Sequence, residues 1–296
     1  LGVLVRDRPE GMNGDPEVLR NAKWLADDFA ISVIPSLQSL QLIRGNNAIG
    51  QGARAQQPFL GFGDPVLAGE AIVRGGGGAR GARRGPGAAM ADIFPAVRGG
   101  SKITLANVTA LKAMASLPGT GDELRAQWQA FGSPPGALFT GGAATETQLK
   151  SSPLNARVIT FATHGLTAGE IEGAVEPGLV FTPPTEASDA DDGFLAASEI
   201  AMLSINADWV ILSACNTAAG DGSTGAQGLS GMARSFFFAG ARNILASHWP
   251  VRDDVAARLT VRAIELARDN PDLSRAQALQ RAMKEIRDST QADSAD

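Results

Sequence analysis

Cys215 is the single cysteine of the chain and stands just past the apolar run Trp209-Val210-Ile211-Leu212. His164, one of two histidines, stands likewise just past Arg157-Val158-Ile159-Thr160-Phe161-Ala162. Both runs read as strands, and open α/β sheets build their sites outside the carboxyl ends of strands. A thiol attacks as its thiolate, and a histidine at a neighbouring strand end supplies the base. Gly165 follows His164 and leaves its backbone N–H unobstructed. That N–H and the Cys215 N–H are the expected pair for the oxyanion of a tetrahedral intermediate.

Each residue also has a plainer reading. A lone buried cysteine serves as a small core hydrophobe, and a lone histidine as a satisfied turn residue. It is their joint occurrence at two strand ends, with Gly165 alongside, that points to chemistry. His248 is the rival base, but Trp249 and Pro250 follow it, so it lacks the small neighbour a substrate carbonyl needs. A packing or loop-fixing role suits it better. Gly220-Asp221-Gly222-Ser223-Thr224-Gly225 has the G-x-G-x-x-G form of a dinucleotide site. Five residues separate it from the strand, and the acidic residue due about 20 positions on is missing, so a loop is the better reading. Asp189, Asp191 and Asp192 read as a solvated connection, with a calcium or substrate-charge role as the lesser alternative. No metal-ligand spacing occurs, and no cofactor is expected.

The wider composition narrows the function classes. The chain has 296 residues, 44% apolar and 19% charged, so a large core is available and end-to-end disorder is excluded. The net charge is 26 − 31 = −5, which disfavours wholesale nucleic-acid binding. No apolar run approaches the ~20 residues of a membrane span. One cysteine excludes an internal disulfide and suggests a cytoplasmic setting. The chain opens on Leu1 rather than Met, which suggests a segment upstream.

The elements that must position the pair alternate along the chain. Residues 1–29 read as a helical lead-in, followed by a short strand at Ile31-Ser32-Val33-Ile34-Pro35 and a helical stretch through Leu37, Leu40 and Ile43. Strands are expected at Phe59–Pro65, Ala137–Thr140, Arg157–Ala162, Leu179–Phe181, Trp209–Leu212 and Asn243–Ser247. Helices are expected at Asp122–Phe131, Glu146–Lys150, Phe194–Leu203 and Gln227–Ala239, the last capped by Gly240. Two closing helices follow, the second opened by a Ser274/Gln277 capping box. The run Trp209–Leu212 is apolar throughout, as a strand buried on both faces should be. This alternation predicts an α/β sandwich around a mostly parallel sheet. Arg74 to Gly87 is a glycine–arginine stretch with no apolar period. It reads as a mobile surface loop, with a phosphate or RNA contact or a proteolytic nick as alternatives.

Several of these motifs together resemble one family. Ala162-Thr163-His164-Gly165, Leu212-Ser213-Ala214-Cys215-Asn216-Thr217 and Gly228-Leu229-Ser230-Gly231-Met232-Ala233-Arg234-Ser235-Phe236 are similar to motifs of CHAT domains. So are Leu60-Gly61-Phe62-Gly63-Asp64-Pro65, Leu117-Pro118-Gly119-Thr120 and Trp249-Pro250-Val251-Arg252-Asp253-Asp254. These domains are bacterial caspase-like cysteine peptidases of clan CD, often associated with TPR helices. A histidine about 50 residues ahead of the nucleophile is also the caspase spacing. The resemblance implies a three-layer caspase-like fold over residues 30–288, with 74–87 as a disordered insertion and 289–296 as a disordered tail. It implies a His164–Cys215 dyad cleaving a protein or peptide, latent until a signal or partner activates it. The partner implied is a TPR or other helical-repeat segment, upstream or in trans, in a bacterial cytoplasm. A non-catalytic scaffold with the same fold is the alternative. The family usually has Leu where this chain has His248. Ser213, two residues before the nucleophile, and Asp221, in the loop after it, are the candidates for the substrate pocket.

Overall fold

A computed structural model describes residues 5–6, 18, 21–34, 55–70, 105–213, 228–246 and 253–292. Cys215, Asp221, His248, the expected helical stretch through residue 43 and the stretch 74–87 lie outside the described residues. The chain divides into two compact units, Gln41–Asp253 and Leu1–Leu40 with Asp254–Asp296. The sequence instead suggests a lead-in at 1–29 and a single domain at 30–288.

The smaller unit contains the short helix α1 (Leu25–Asp28). Ile31–Ile34 is not a strand, although its residue types favour one. Val33 and Ile34 are exposed, and among the described residues no strand pairs with this segment, so residue preference alone builds no ladder.

In chain order the larger unit contains β1 (Gln57–Pro65), α2 (Val108–Lys112), α3 (Pro118–Ala130), β2 (Leu138–Gly141), α4 (Glu146–Ser151), β3 (Ala156–Ala162), β4 (Gly165–Leu166), β5 (Gly178–Val180), β6 (Phe194–Ala196), α5 (Ala197–Met202), β7 (Trp209–Leu212), α6 (Gly228–Ala239) and β8 (Ile244–Ala246). The first turn of α3 starts at Pro118 rather than Asp122, because proline is preorganised for the first helical position. The expected helix at 194–203 divides into β6 and α5. Phe194, Leu195 and Ala196 pair with β5, and that ladder overrides their helical spacing.

Five parallel strands form the central sheet in the order β2-β1-β3-β7-β8, and β4-β5-β6 form a small antiparallel sheet. The two faces of the central sheet are covered by different means. Phe62, Ile159, Phe161, Val210 and Leu212 share one core with Leu149 of α4, Ile200 of α5 and Met232 and Phe236 of α6. On the opposite face α3 lies against β1, where Gly61 and Gly63 make room for Leu124. A Cβ on Gly63 would stand 2.9 Å from Leu124 Cδ1 and 2.2 Å from the Ala162 carbonyl oxygen. Gly240 ends α6 at φ 113°, a conformation that favours glycine, as the sequence anticipates. Trp209–Leu212 is buried along its whole length, as its unbroken apolar character requires.

The closing helices α7 (Asp253–Asp269) and α8 (Arg275–Ala292) belong to the smaller unit. The Ser274 and Gln277 pair opens α8 reciprocally. Ser274 N donates to Gln277 Oε1 at 2.9 Å, and Gln277 N to Ser274 Oγ at 3.3 Å. Gln280 Nε2 and Lys284 Nζ donate to the carbonyls of Ala26 and Asp27 at 2.7 and 2.6 Å, which explains why these helices group with the N-terminal segment. Helix α8 continues to Ala292, past residue 288, where a disordered tail is expected. Ser289 Oγ donates to the Ile286 carbonyl at 2.9 Å within it.

Candidate active site

The order β2-β1-β3-β7-β8 reverses direction at β1 and β3, and such a switch point opens a crevice at the carboxyl ends of those strands. His164 lies two residues beyond β3, at that crevice. Its turn is pinned from β5. Thr163 Oγ1 donates to the Val180 carbonyl at 2.5 Å, and Val180 N donates to the His164 carbonyl at 2.9 Å. The half-buried imidazole is held by a third segment, with Nε2 2.7 Å from the Ala115 carbonyl oxygen. A carbonyl oxygen can only accept, so this contact assigns the ring proton to Nε2. In the neutral ring Nδ1 is then the basic nitrogen.

The segment carrying Ala115 is itself fixed to the loop after β1. Gly69 N donates to the Met114 carbonyl at 2.9 Å, and Gly69 bridges to Ala115 in parallel fashion. A side chain at Gly69 would stand 2.5 Å from that carbonyl oxygen, so the approach requires glycine. Gly165 pairs with Leu179 in the small sheet. Because Val180 N bonds to the carbonyl of His164, this is a non-hydrogen-bonded pair, and the Gly165 N–H turns away from β5.

Ser213 is half-buried at the end of β7, where its N–H donates to the Phe161 carbonyl at 2.9 Å. Its hydroxyl donates to Glu123 Oε2 at 2.7 Å. Gln127 Nε2 donates to Glu123 Oε1 at 3.1 Å, and Thr160 Oγ1 donates to Gln127 Oε1 at 2.7 Å. Glu123 is only 2% exposed, and Gln127 and Thr160 are fully buried. Sequence reading missed both Glu123 and the Ala115 carbonyl. Asp64, past the core of β1, has φ 50° and packs on the first turn of α3, where a Cβ on Gly121 would come within 2.6 Å of Oδ2. Burial raises its carboxyl above the ordinary range, while Arg125 pulls the other way.

The acidic loop before β6 is more than a solvated connection. Asp192 accepts from Ala106 N at 2.7 Å and from Phe194 N at 2.9 Å, and Asp191 accepts from Thr147 Oγ1 at 2.7 Å. Glu146 of α4, 1% exposed, accepts from the N–H groups of Asp192 and Gly193 at 3.1 and 3.2 Å. Most of these bonds join the loop to segments 44 to 86 positions away in sequence and fix it in a defined shape. Among the described residues no group of three His, Cys, Asp or Glu could hold a metal ion. Nor is any described helix long and apolar enough to cross a membrane.

Comparison with known protein families matches residues 10–295 to the CHAT domain. No curated protein matches the chain.

Proposed function

Since the chain belongs to the CHAT domain family and has its caspase-like α/β fold, we propose that it is a cysteine endopeptidase with Cys215 as nucleophile and His164 as base. One observation carries this reading. The ladder between β3 and β7 pairs Val158 with Trp209 and Phe161 with Leu212, a constant offset of 209 − 158 = 51 residues. His164 and Cys215 are separated by the same offset, 215 − 164 = 51. The ladder sets the strand end that precedes His164 beside the strand end that precedes Cys215, which supports reading the two residues as a pair.

In this reading Nδ1 of His164 takes the Cys215 proton while the Ala115 carbonyl holds Nε2–H in place. The thiolate adds to a peptide carbonyl, and the N–H groups of Gly165 and Cys215 receive the oxyanion. As the C–N bond breaks, His164 returns its proton to the leaving amine. Water then adds to the thioester carbonyl, assisted by the same imidazole, and releases the acid and the thiol. The substrate is a protein or peptide, and a helical-repeat segment upstream or in trans is the proposed activator.

Ser213 carries no charge, and a substrate cation buried against it would remain unpaired at a cost of several kcal/mol. Glu123 stands behind Ser213 but is itself buried, so it presents no open charge. A neutral or apolar residue is therefore proposed before the scissile bond. A peptide-library profile with a strict requirement for Arg, Lys or Asp would contradict this. The dyad is tested by Cys215→Ala and His164→Ala. Each should abolish cleavage and leave a cooperative thermal transition, since members of a cooperating pair fail together. Near-normal turnover in His164→Ala, with loss in His248→Ala, would assign the base elsewhere.

A further inference from the structure

We infer that Glu123 is a positioning residue for the proposed dyad. Through the chain Thr160–Gln127–Glu123–Ser213 it locks the carboxyl ends of β3 and β7 to helix α3 and to each other. The inference rests on the dyad reading.

Packing does not explain a carboxyl group at this place. Glu123 is 2% exposed on the helix face whose neighbour Leu124 already fills the space over Gly61 and Gly63. Buried ionisable groups are poor contributors to stability, and apolar residues of similar volume often serve as well or better. What a carboxyl group adds is direction. Its two oxygens accept from different elements, Oε1 from the Gln127 amide and Oε2 from the Ser213 hydroxyl. Gln127 in turn accepts from Thr160, a β3 residue four positions before His164.

Ser213 is also where the ladder contact ends. Its N–H still bonds to the Phe161 carbonyl, one position beyond the last paired level of β3 and β7. The side-chain bond to Glu123 therefore fixes the residue directly after β7, and Cys215 follows two residues later in sequence. Two residues span at most about 7 Å of chain, so the position of Ser213 bounds where the thiol can lie. A shift of about 1 Å in a reacting group can cost about 100-fold in rate.

The test uses the full chain and two readouts, the pH dependence of iodoacetamide alkylation at Cys215 and the separate kcat and KM of peptide cleavage. Glu123→Gln keeps the side-chain volume but replaces one of the two acceptors by a donor, so the acceptor for either the Gln127 amide or the Ser213 hydroxyl is lost. It should move the alkylation midpoint up by about one pH unit, towards a free thiol. It should lower kcat about 10–100-fold with KM within about threefold. Ser213→Ala should reproduce the shift, Ser213→Thr should keep the wild-type midpoint, and Glu123→Gln with Ser213→Ala should be no worse than either alone. A folded Glu123→Gln variant with wild-type midpoint and kcat would overturn the inference. If that variant does not fold, the Ser213 pair decides, and equal profiles for Ala and Thr would overturn it. A wild-type midpoint that His164→Ala leaves unmoved would instead remove the dyad reading, and this inference with it.

Discussion

The His164 ring takes its orientation from a backbone carbonyl, so no single side-chain deletion can remove that partner. Gly69 offers an indirect route, because its close approach to Met114 fixes the segment that presents the Ala115 carbonyl. Gly69→Ala would drive a methyl group against the Met114 and Ala113 oxygens, 2.5 and 2.6 Å from its Cβ position. Such overpacking costs about 1–3 kcal/mol. We expect a lower Tm and a fall of about tenfold or more in kcat, because the imidazole loses its fixed tautomer and direction. Unchanged kcat in a destabilised Gly69→Ala variant would show that the carbonyl does not orient the base. At this scale the sequence exposes residue types but not backbone acceptors. His164, Gly165 and Ser213 could be singled out because each follows an apolar strand. The Ala115 carbonyl has no side-chain signature. Glu123 escaped because a polar residue on a helix looks the same whether it faces water or a buried hydroxyl.

Among the elements, the strands were the most legible, since short β-branched and apolar runs bounded by glycine and polar turns have few other readings. The ladder then supplied what residue types could not, namely the 51-residue offset between β3 and β7. The segment 194–203 divided because pairing with β5 competes with helical spacing, and pairing partners are invisible locally. The same is true of the loop before β6, which α4 clasps through Glu146. Burial pushes the Glu146 carboxyl from 4.5 up to about 7, against the hydrogen bond and charge of Lys150. Burial also pulls on the Lys150 ammonium, but Glu146 and Glu199 outweigh it and raise that group. Between pH 4.5 and about 7 the folded chain therefore holds the Glu146 proton more tightly than the unfolded chain. Its contribution to stability should decline as pH rises through that window, by on the order of 1–3 kcal/mol. Thermal melts should show Glu146→Gln gaining on wild type from pH 5 to pH 8. A difference in Tm that is constant with pH would refute this.

For the whole molecule, the family match over residues 10–295 runs through both compact units. The closing helices belong with the N-terminal segment because Asp27 and Ala26 receive donors from α8. Arg287 Nη1 lies 2.8 Å from Asp27 Oδ1, beside the Gln280 and Lys284 bonds. That grouping was not legible in advance, since its contacts join residues some 254 positions apart. The glycine–arginine stretch at 74–87 belongs to the larger unit by sequence and matches none of the family motifs recognised in the chain. Replacing it with a short Gly/Ser linker should leave the Tm almost unchanged, because doubling a loop's length costs only about 0.6 kcal/mol. A loss of several kcal/mol would show that these residues are docked.

The proposed function requires that Cys215 be a nucleophile activated by His164. The most direct measurement is covalent labelling of the purified chain by a thiol-directed peptide electrophile, followed by mass spectrometry. One adduct is expected at Cys215, strongly slowed in His164→Ala and unaffected in His248→Ala. Labelling no faster than a free thiol, or equally fast without His164, would contradict it.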